Sequence, residues 1–254
     1  MHESARYTQS NEDQIEARQE LFSLMEHYPA TIEERERSLG LFLRASLLAR
    51  LLAIHEIYEH IVSVPGVIFD IGTWRGQTAV ICENLRAILE PLNQQRRIVA
   101  FDTFQGYAGM TTDDSRSKTW KEGSYSLPED YAELLQQLLV IHERNNIGGH
   151  LHGKHKVVAG DCVTTIPQHL KENPHETVAL AWFDLNAFNP TRAAFEAIHP
   201  RIPPGGILAF WQLTRPELTA EGKCYHEVIS PVFPHQLFRS KYYPSLSYLV
   251  RQPS

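Results

Sequence analysis

Residues 66–78, Gly-Val-Ile-Phe-Asp-Ile-Gly-Thr-Trp-Arg-Gly-Gln-Thr, constrain the fold of this chain more than any other stretch. Val67, Ile68 and Phe69 form a short apolar run, the pattern of a strand buried on both faces. Asp70 closes that run, Gly72 and Gly76 flank a tight loop, and Gln77-Thr78-Ala79-Val80 can start a helix. A strand, an acid, a glycine-punctuated turn and a helix N-terminus make up the ligand crevice of a doubly wound α/β sheet. Glycine suits such a turn because a Cβ would hold a ligand away from the backbone. The stretch therefore predicts a nucleoside-type ligand.

The chain on either side fits that frame. Residues 1–20 are polar, with a mobile tip expected. Between Ile32 and Ile61 apolar residues recur at helical steps (Leu39, Phe42, Leu43, Leu47, Leu51, Ile54, Tyr58), with Gly40 as a break. So wide a stripe predicts a helix buried on more than one side, capping the pocket, forming a homodimer, or both. Segment 1–63 is thus expected to be a helical cap, and 64–254 the ligand-binding domain. Within the latter, strands are predicted at 66–70, 97–102, 156–161, 178–184 and 207–212, with helices between them. His235–Lys241 and Ser245–Arg251 read as a closing hairpin. The expected fold class is α/β: a doubly wound, mostly parallel seven-stranded sheet with an antiparallel edge. The polar, glycine-containing segment 103–128 reads as a lid.

A net charge of −6 over 254 residues argues against a nucleic-acid partner. No apolar run approaches the roughly 20 residues of a membrane span. The three cysteines show no CxxC pairing and read as reduced thiols of a cytoplasmic protein. The partner expected is a small-molecule substrate. Trp182 reads as core. His150, His152 and His155 read as a solvated loop rather than a metal site, since no carboxylate or cysteine frame accompanies them.

Four predicted strands end in an acid: Asp70, Asp102, Asp161 and Asp184. Ligands of open α/β sheets lie beyond these ends. An acid after the second strand can accept both hydroxyls of a ribose, and one after the third can accept an adenine amino group. A dinucleotide would require G-x-G-x-x-G, but Gly72-Thr-Trp-Arg-Gly76 lacks the middle and third glycines. An adenosine carrier without phosphates, S-adenosylmethionine, fits better.

On these residues the chain resembles class I S-adenosylmethionine-dependent methyltransferases, and within them the TylF-like (macrocin O-methyltransferase) group. The likeness runs over about residues 60–212. It rests on Asp70-Ile-Gly-Thr-Trp-Arg-Gly76, on Asp102-Thr-Phe-Gln-Gly106, and on His199-Pro-Arg-Ile-Pro-Pro-Gly-Gly206. The resemblance implies a turn (Asp70, Gly72, Thr73, Arg75, Gly76) around the methionine part of the cofactor. It implies Asp102 and Thr103 at the ribose and Asp161 and Cys162 at the adenine edge, with S-adenosylhomocysteine as product. From the residues alone, Arg75 either pairs with the cofactor carboxylate or fixes the turn.

The likeness lapses where the family carries its metal acids. Asp-Gly-Asp after strand four is here Asp184-Leu185-Asn186, and Asp-Asp after strand five is Trp211-Gln212. A hard divalent cation takes several oxygen ligands, so no metal is expected. A hydroxyl acceptor then needs a base, for which Asp184, also expected beside the cofactor, is the first candidate and His226 the second. Asn186, Trp211 and Gln212 are expected to face the substrate, Trp211 as an apolar wall. O-methylation of a natural-product-type molecule is the leading expectation. A methyltransferase fold that binds the cofactor without transferring methyl is the alternative.

Overall fold

The computed structural model describes residues 11–111, 114, 122–146 and 151–253. Helices α1 (Glu12–Glu26), α2 (Ile32–Arg37) and α3 (Ala45–Ile61) lead into β1 (Val67–Ile71). Then follow α4 (Gln77–Leu89), β2 (Ile98–Asp102), α5 (Tyr131–Asn145), β3 (Lys156–Ala159), α6 (Cys162–Glu172) and β4 (Val178–Phe183). The chain ends with α7 (Phe188–Ile198), β5 (Ile207–Phe210), α8 (Ala220–Cys224), β6 (His235–Arg239) and β7 (Ser247–Arg251). The seven strands form one sheet in the order β3-β2-β1-β4-β5-β7-β6. The five strands from β3 to β5 pair in parallel, and β7 joins β5 antiparallel with β6 at the edge. This is the predicted class I methyltransferase fold.

Alternation along the strands builds two cores. Ile68, Ala100, Leu180 and Trp182 face α3, α4 and α5, whereas Phe69, Phe101, Phe183 and Phe210 face α6, α7 and α8. Phe183 and Phe210 stack at 4.6 Å across the β4–β5 register. The strand order reverses between β1 and β4, which run parallel, and the connections leaving their C-terminal ends diverge around the crevice such a switch point creates. Gly72 is needed there: its φ is +80°, and a Cβ would lie 2.6 Å from the Asp184 carbonyl oxygen.

Three local readings change. The expected mobile tip, residues 1–10, lies outside the described residues, but α1 starts at Glu12 where the polar pattern showed no helix. Its signal is a capping box, in which the Asn11 side chain accepts from Gln14 N and the Gln14 side chain from Asn11 N. The helix buries none of its residues, and Ile15, Phe22, Leu24 and Met25 are exposed. Residues 32–61 form two helices parted by a 3-10 turn at Leu39–Phe42. His150 lies outside the described residues, and His155 is not in a solvated loop. It is buried, taking the Ile98 N–H on Nδ1 at 3.0 Å with Nε2 2.7 Å from the Glu83 carboxylate. Since Nδ1 accepts, the ring proton sits on Nε2 and donates to Glu83. Two further donors, Arg86 and Asn146, complete the shell of Glu83. Burial alone would raise the Glu83 pKa, but these partners hold it far below the usual carboxylate range.

Candidate functional site

The strand ends converge on a cavity of about 640 Å³. Gly72, Thr73, Trp74 and Arg75 line it after β1, Asp102 and Thr103 after β2, and Asp161 and Cys162 after β3. Asp184 and Leu185 line it after β4, and Gln212 after β5. Residues away from the strand ends also line the space, among them Ser46, Leu47 and Arg50 from the first turns of α3, Tyr107 and Tyr125, and Tyr243 between β6 and β7.

Asp102 organises one end. Its Oδ2 accepts the Trp74 N–H and its Oδ1 the Phe104 N–H, both at 2.7 Å. Both donors have positive φ, +50° and +57°, a costly conformation for aromatic residues. The carboxylate thus holds two strained turns in place. Burial raises its pKa, against the lowering by the backbone N–H groups of Phe104, Trp74 and Thr103. A carboxylate offers about four lone-pair sites, so acceptor capacity remains for a ligand hydroxyl pair. Asp161 caps α6 by accepting from Val163 N at 2.9 Å and still lines the cavity. Burial pushes the neighbouring Cys162 thiol up to about 12, so it stays protonated. Arg75 lines the cavity with its guanidinium carbon 5.1 Å from the Trp74 ring centroid.

Two residues of the turn sit beneath the surface. Gly76 is the left-handed N-cap of α4, packed against Leu135. Asp70 is only 2% exposed and accepts from Thr73 Oγ1 at 2.5 Å. Burial pushes its pKa up to about 7, with the Thr73 hydrogen bond and the Arg50 charge opposing. An unfolded Asp titrates near pH ~4, so its contribution to stability is complete below that and is lost as pH rises through ~7. Asn at this position does not titrate. In thermal unfolding from pH 4 to 8, Asp70→Asn should therefore gain on the wild type as pH rises. A constant difference between the two proteins would refute this.

The opposite end is built on Asp184. Its side chain is 26% accessible, and Arg50 Nη2 lies 3.7 Å from its Oδ2. Burial raises its pKa, opposed first by the Arg50 charge and then by hydrogen bonds from Gln212 and Asn186. Asn186 (φ +53°) is buried and does not line the cavity, and its Nδ2 donates to Tyr107 Oη at 2.8 Å. Glu221, fully buried behind Gln212, accepts the Gln212 N–H at 2.8 Å. Burial, reinforced by Asp184, raises its pKa well above the ordinary value and favours the neutral acid.

Two expected contacts are displaced. Trp211 is 1% exposed and does not form the cavity wall: it packs against Trp182 at 5.4 Å, and Arg50 lies over its ring with Cζ 3.7 Å from the centroid. His226 is exposed on a π-helical turn (Tyr225–Ile229) and does not line the cavity, which leaves Asp184 as the candidate base. Arg50, Tyr107 and Glu221 were absent from the sequence expectations. For Arg50 a signal existed, a cation placed between Leu47 and Ile54 on the apolar face of a helix.

A divalent metal does not fit this donor set. Asp184 supplies the one carboxylate that lines this end, Gln212 Oε1 accepts from Arg215 Nη1 at 3.2 Å, and Trp211 has no oxygen. Asn186 Oδ1 is buried without a partner but lies behind the wall. Among the described residues no cluster of three or more His, Cys, Asp or Glu could hold a metal.

A family described as "Methyltransferase domain" matches residues 69–210. A solved structure of CalS11, a calicheamicin methyltransferase, is 33% identical with a TM-score of 0.89, covering 98% of this chain and 97% of its own. An apo structure of CalS11, described as a TDP-rhamnose 3′-O-methyltransferase of calicheamicin biosynthesis, is 32% identical with a TM-score of 0.81 and 96% coverage of both chains. The O-methyltransferase NovP, 17% identical with a TM-score of 0.60 over 81% of this chain and 80% of its own, shares the fold. No curated protein sequence matches. No helix among the described residues is long and apolar enough to cross a membrane.

Proposed function

The chain belongs to the methyltransferase-domain family, and on that premise we propose that it is a metal-independent, S-adenosylmethionine-dependent O-methyltransferase of the TylF-like group. Its acceptor in this reading is a hydroxyl of a small natural-product-type molecule, with a nucleotide-linked deoxysugar as the first class to test. The acceptor class is supported by likeness to a TDP-rhamnose 3′-O-methyltransferase at 32% identity. One observation carries the rest: a single cavity is lined at one end by the Gly72–Arg75 turn, Asp102 and Asp161, and at the other by Asp184.

When bound, S-adenosylmethionine supplies a methyl on a sulfonium, whose sulfur keeps the S–C electron pair as the acceptor oxygen bonds to carbon, giving S-adenosylhomocysteine. The chain's part is alignment and proton transfer. Residues 72–75 would hold the methionine portion, with Arg75 on its carboxylate. Asp102 would accept the ribose hydroxyls, and Asp161 with Cys162 would meet the adenine. Asp184 would take the acceptor's hydroxyl proton, a role for which a raised pKa is suited.

Titration calorimetry with S-adenosylmethionine and S-adenosylhomocysteine tests the cofactor. Both should bind, and Asp102→Ala should weaken them about 10- to 100-fold. Mass analysis after incubation with TDP-rhamnose and cofactor tests the acceptor, which should gain one methyl. Absence of binding by either cofactor form overturns the reading. Cofactor binding without transfer to this or any related sugar hydroxyl moves the chain to the non-transferring alternative.

A further inference from the structure

The acceptor end of the cavity has lost its expected acids, yet it contains a positive charge from outside the strand ends. Arg50 reaches in from α3, and Trp211 forms its seat, with the guanidinium carbon 3.7 Å from the ring centroid. That position lies where the family resemblance calls for an acid, and an indole face attracts a cation. The guanidinium also lies 3.7 Å from Asp184 Oδ2, too far for a hydrogen bond but close enough for strong Coulomb attraction in a partly enclosed site.

Its hydrogen-bonding capacity is largely unused. A guanidinium has five N–H donors. Among the described residues the one hydrogen bond of Arg50 is a long one, 3.4 Å to Thr78 Oγ1, and its buried Nε has no partner. A buried arginine with a full set of partners looks different. Arg96, 1% exposed, spends its donors on both oxygens of Glu90 and on the carbonyls of Ile61, Val64 and Gly66. Arg50 is held by stacking and charge, with donors left over at the cavity wall.

We propose that Arg50, seated on Trp211, is the resident cation of the acceptor end, standing where a divalent metal would and directing its free donors to the acceptor oxygen. The proposal rests on the methyltransferase reading above. In the step, the acceptor O–H proton would pass to Asp184 and the oxygen would form its bond to the methyl carbon as the methyl's bond to sulfur breaks, the electron pair of that bond staying on sulfur. Arg50 stabilises the negative charge that builds on that oxygen and keeps Asp184 paired before the proton arrives. A guanidinium is always charged and does not dissociate, so the site needs no metal to supply positive charge.

The test has a substrate-free arm and a kinetic arm. Titration of Mn²⁺ into the full-length wild type, followed by the electron paramagnetic resonance of the free ion, should show no binding up to millimolar concentration. Binding in the wild type that disappears in Asp184→Asn overturns the proposal, because the site would then hold both charges. In the kinetic arm, with TDP-rhamnose as acceptor, Arg50→Gln should lower kcat about 10²-fold. Its Kd for S-adenosylhomocysteine should stay within a factor of three, and Arg50→Lys should recover part of kcat. Trp211→Leu, which removes the seat and keeps the charge, should fall between the wild type and Arg50→Gln. A kcat for Arg50→Gln within threefold of wild type, or one restored by added Mg²⁺, overturns the proposal. These outcomes are separable from failure of the functional reading, which shows as absence of cofactor binding in the wild type.

Discussion

Arg96→Ala should cost the fold about 3–5 kcal/mol, a large share of the stability of an ordinary domain. The guanidinium is buried at 1% exposure and joins three elements. Its Nη2 donates to the carbonyls at the end of α3 and beyond, Ile61 at 2.8 Å and Val64 at 2.9 Å, and Nη1 donates to Gly66 just before β1. Nε and Nη2 form a bidentate pair with Glu90, which follows α4, at 3.0 Å each. Burial by itself would raise the pKa of Glu90, but Arg96, Tyr58 and Asn93 together hold it below the ordinary value. Truncation therefore leaves a buried carboxylate without its counter-charge, held only by Tyr58 and Asn93, and several carbonyls short of donors, the costly side of a buried pair. Lysine should not rescue, because one ammonium cannot reach a carboxylate fork and three carbonyls together. Pairing Arg96→Met with Glu90→Gln should recover part of the loss, since no unpaired charge remains. Urea unfolding reads this as a fall in midpoint with unchanged slope. A loss below about 1 kcal/mol would show that water replaces the arginine.

Asp184→Asn should lower kcat about 10²- to 10⁴-fold, with cofactor affinity little changed. Asparagine keeps the shape and loses the ability to take a proton. The pH profile separates this from a general disturbance. Burial raises the Asp184 pKa, so wild-type kcat should fall on the acid side at a pH above that of an ordinary carboxylate, as the base becomes protonated. The variant's residual rate should lack that limb. A kcat within tenfold of wild type, or an acid limb that survives, would show that the proton leaves by another route. His226 would not supply it, being exposed and away from the cavity.

Much of this molecule was legible in the chain because parallel strands buried on both faces write themselves as short apolar runs closed by an acid. Asp102, Asp161 and Asp184 were found that way, and all three line the cavity. The glycine turn was legible for a related reason. Gly72 must approach the Asp184 backbone at a distance no side chain allows, and only glycine records that in sequence. The start of α1 was missed because its capping box opens a helix that buries none of its residues. His155 was misread because its burial depends on Glu83, far away in sequence but 2.7 Å away in space.

The division follows from the range of the interactions. The alternation of strands and helices, the turn and the acids at the strand ends are set by local pattern, and the sequence by itself determined them, along with the departure from the metal acids that the resemblance implies. What stands in place of those acids was decided by tertiary structure alone. Arg50 and Trp211 lie on different elements, and a cation–π contact has no sequence spacing. In sequence, Trp211 read as a wall for the substrate, and Arg50 was not singled out. Packing α3 over the end of β5 turned the tryptophan into a seat and the arginine into a feature of the cavity. Long-range packing of this kind is fixed by how two cores close on one sheet, and no single stretch of chain carries it.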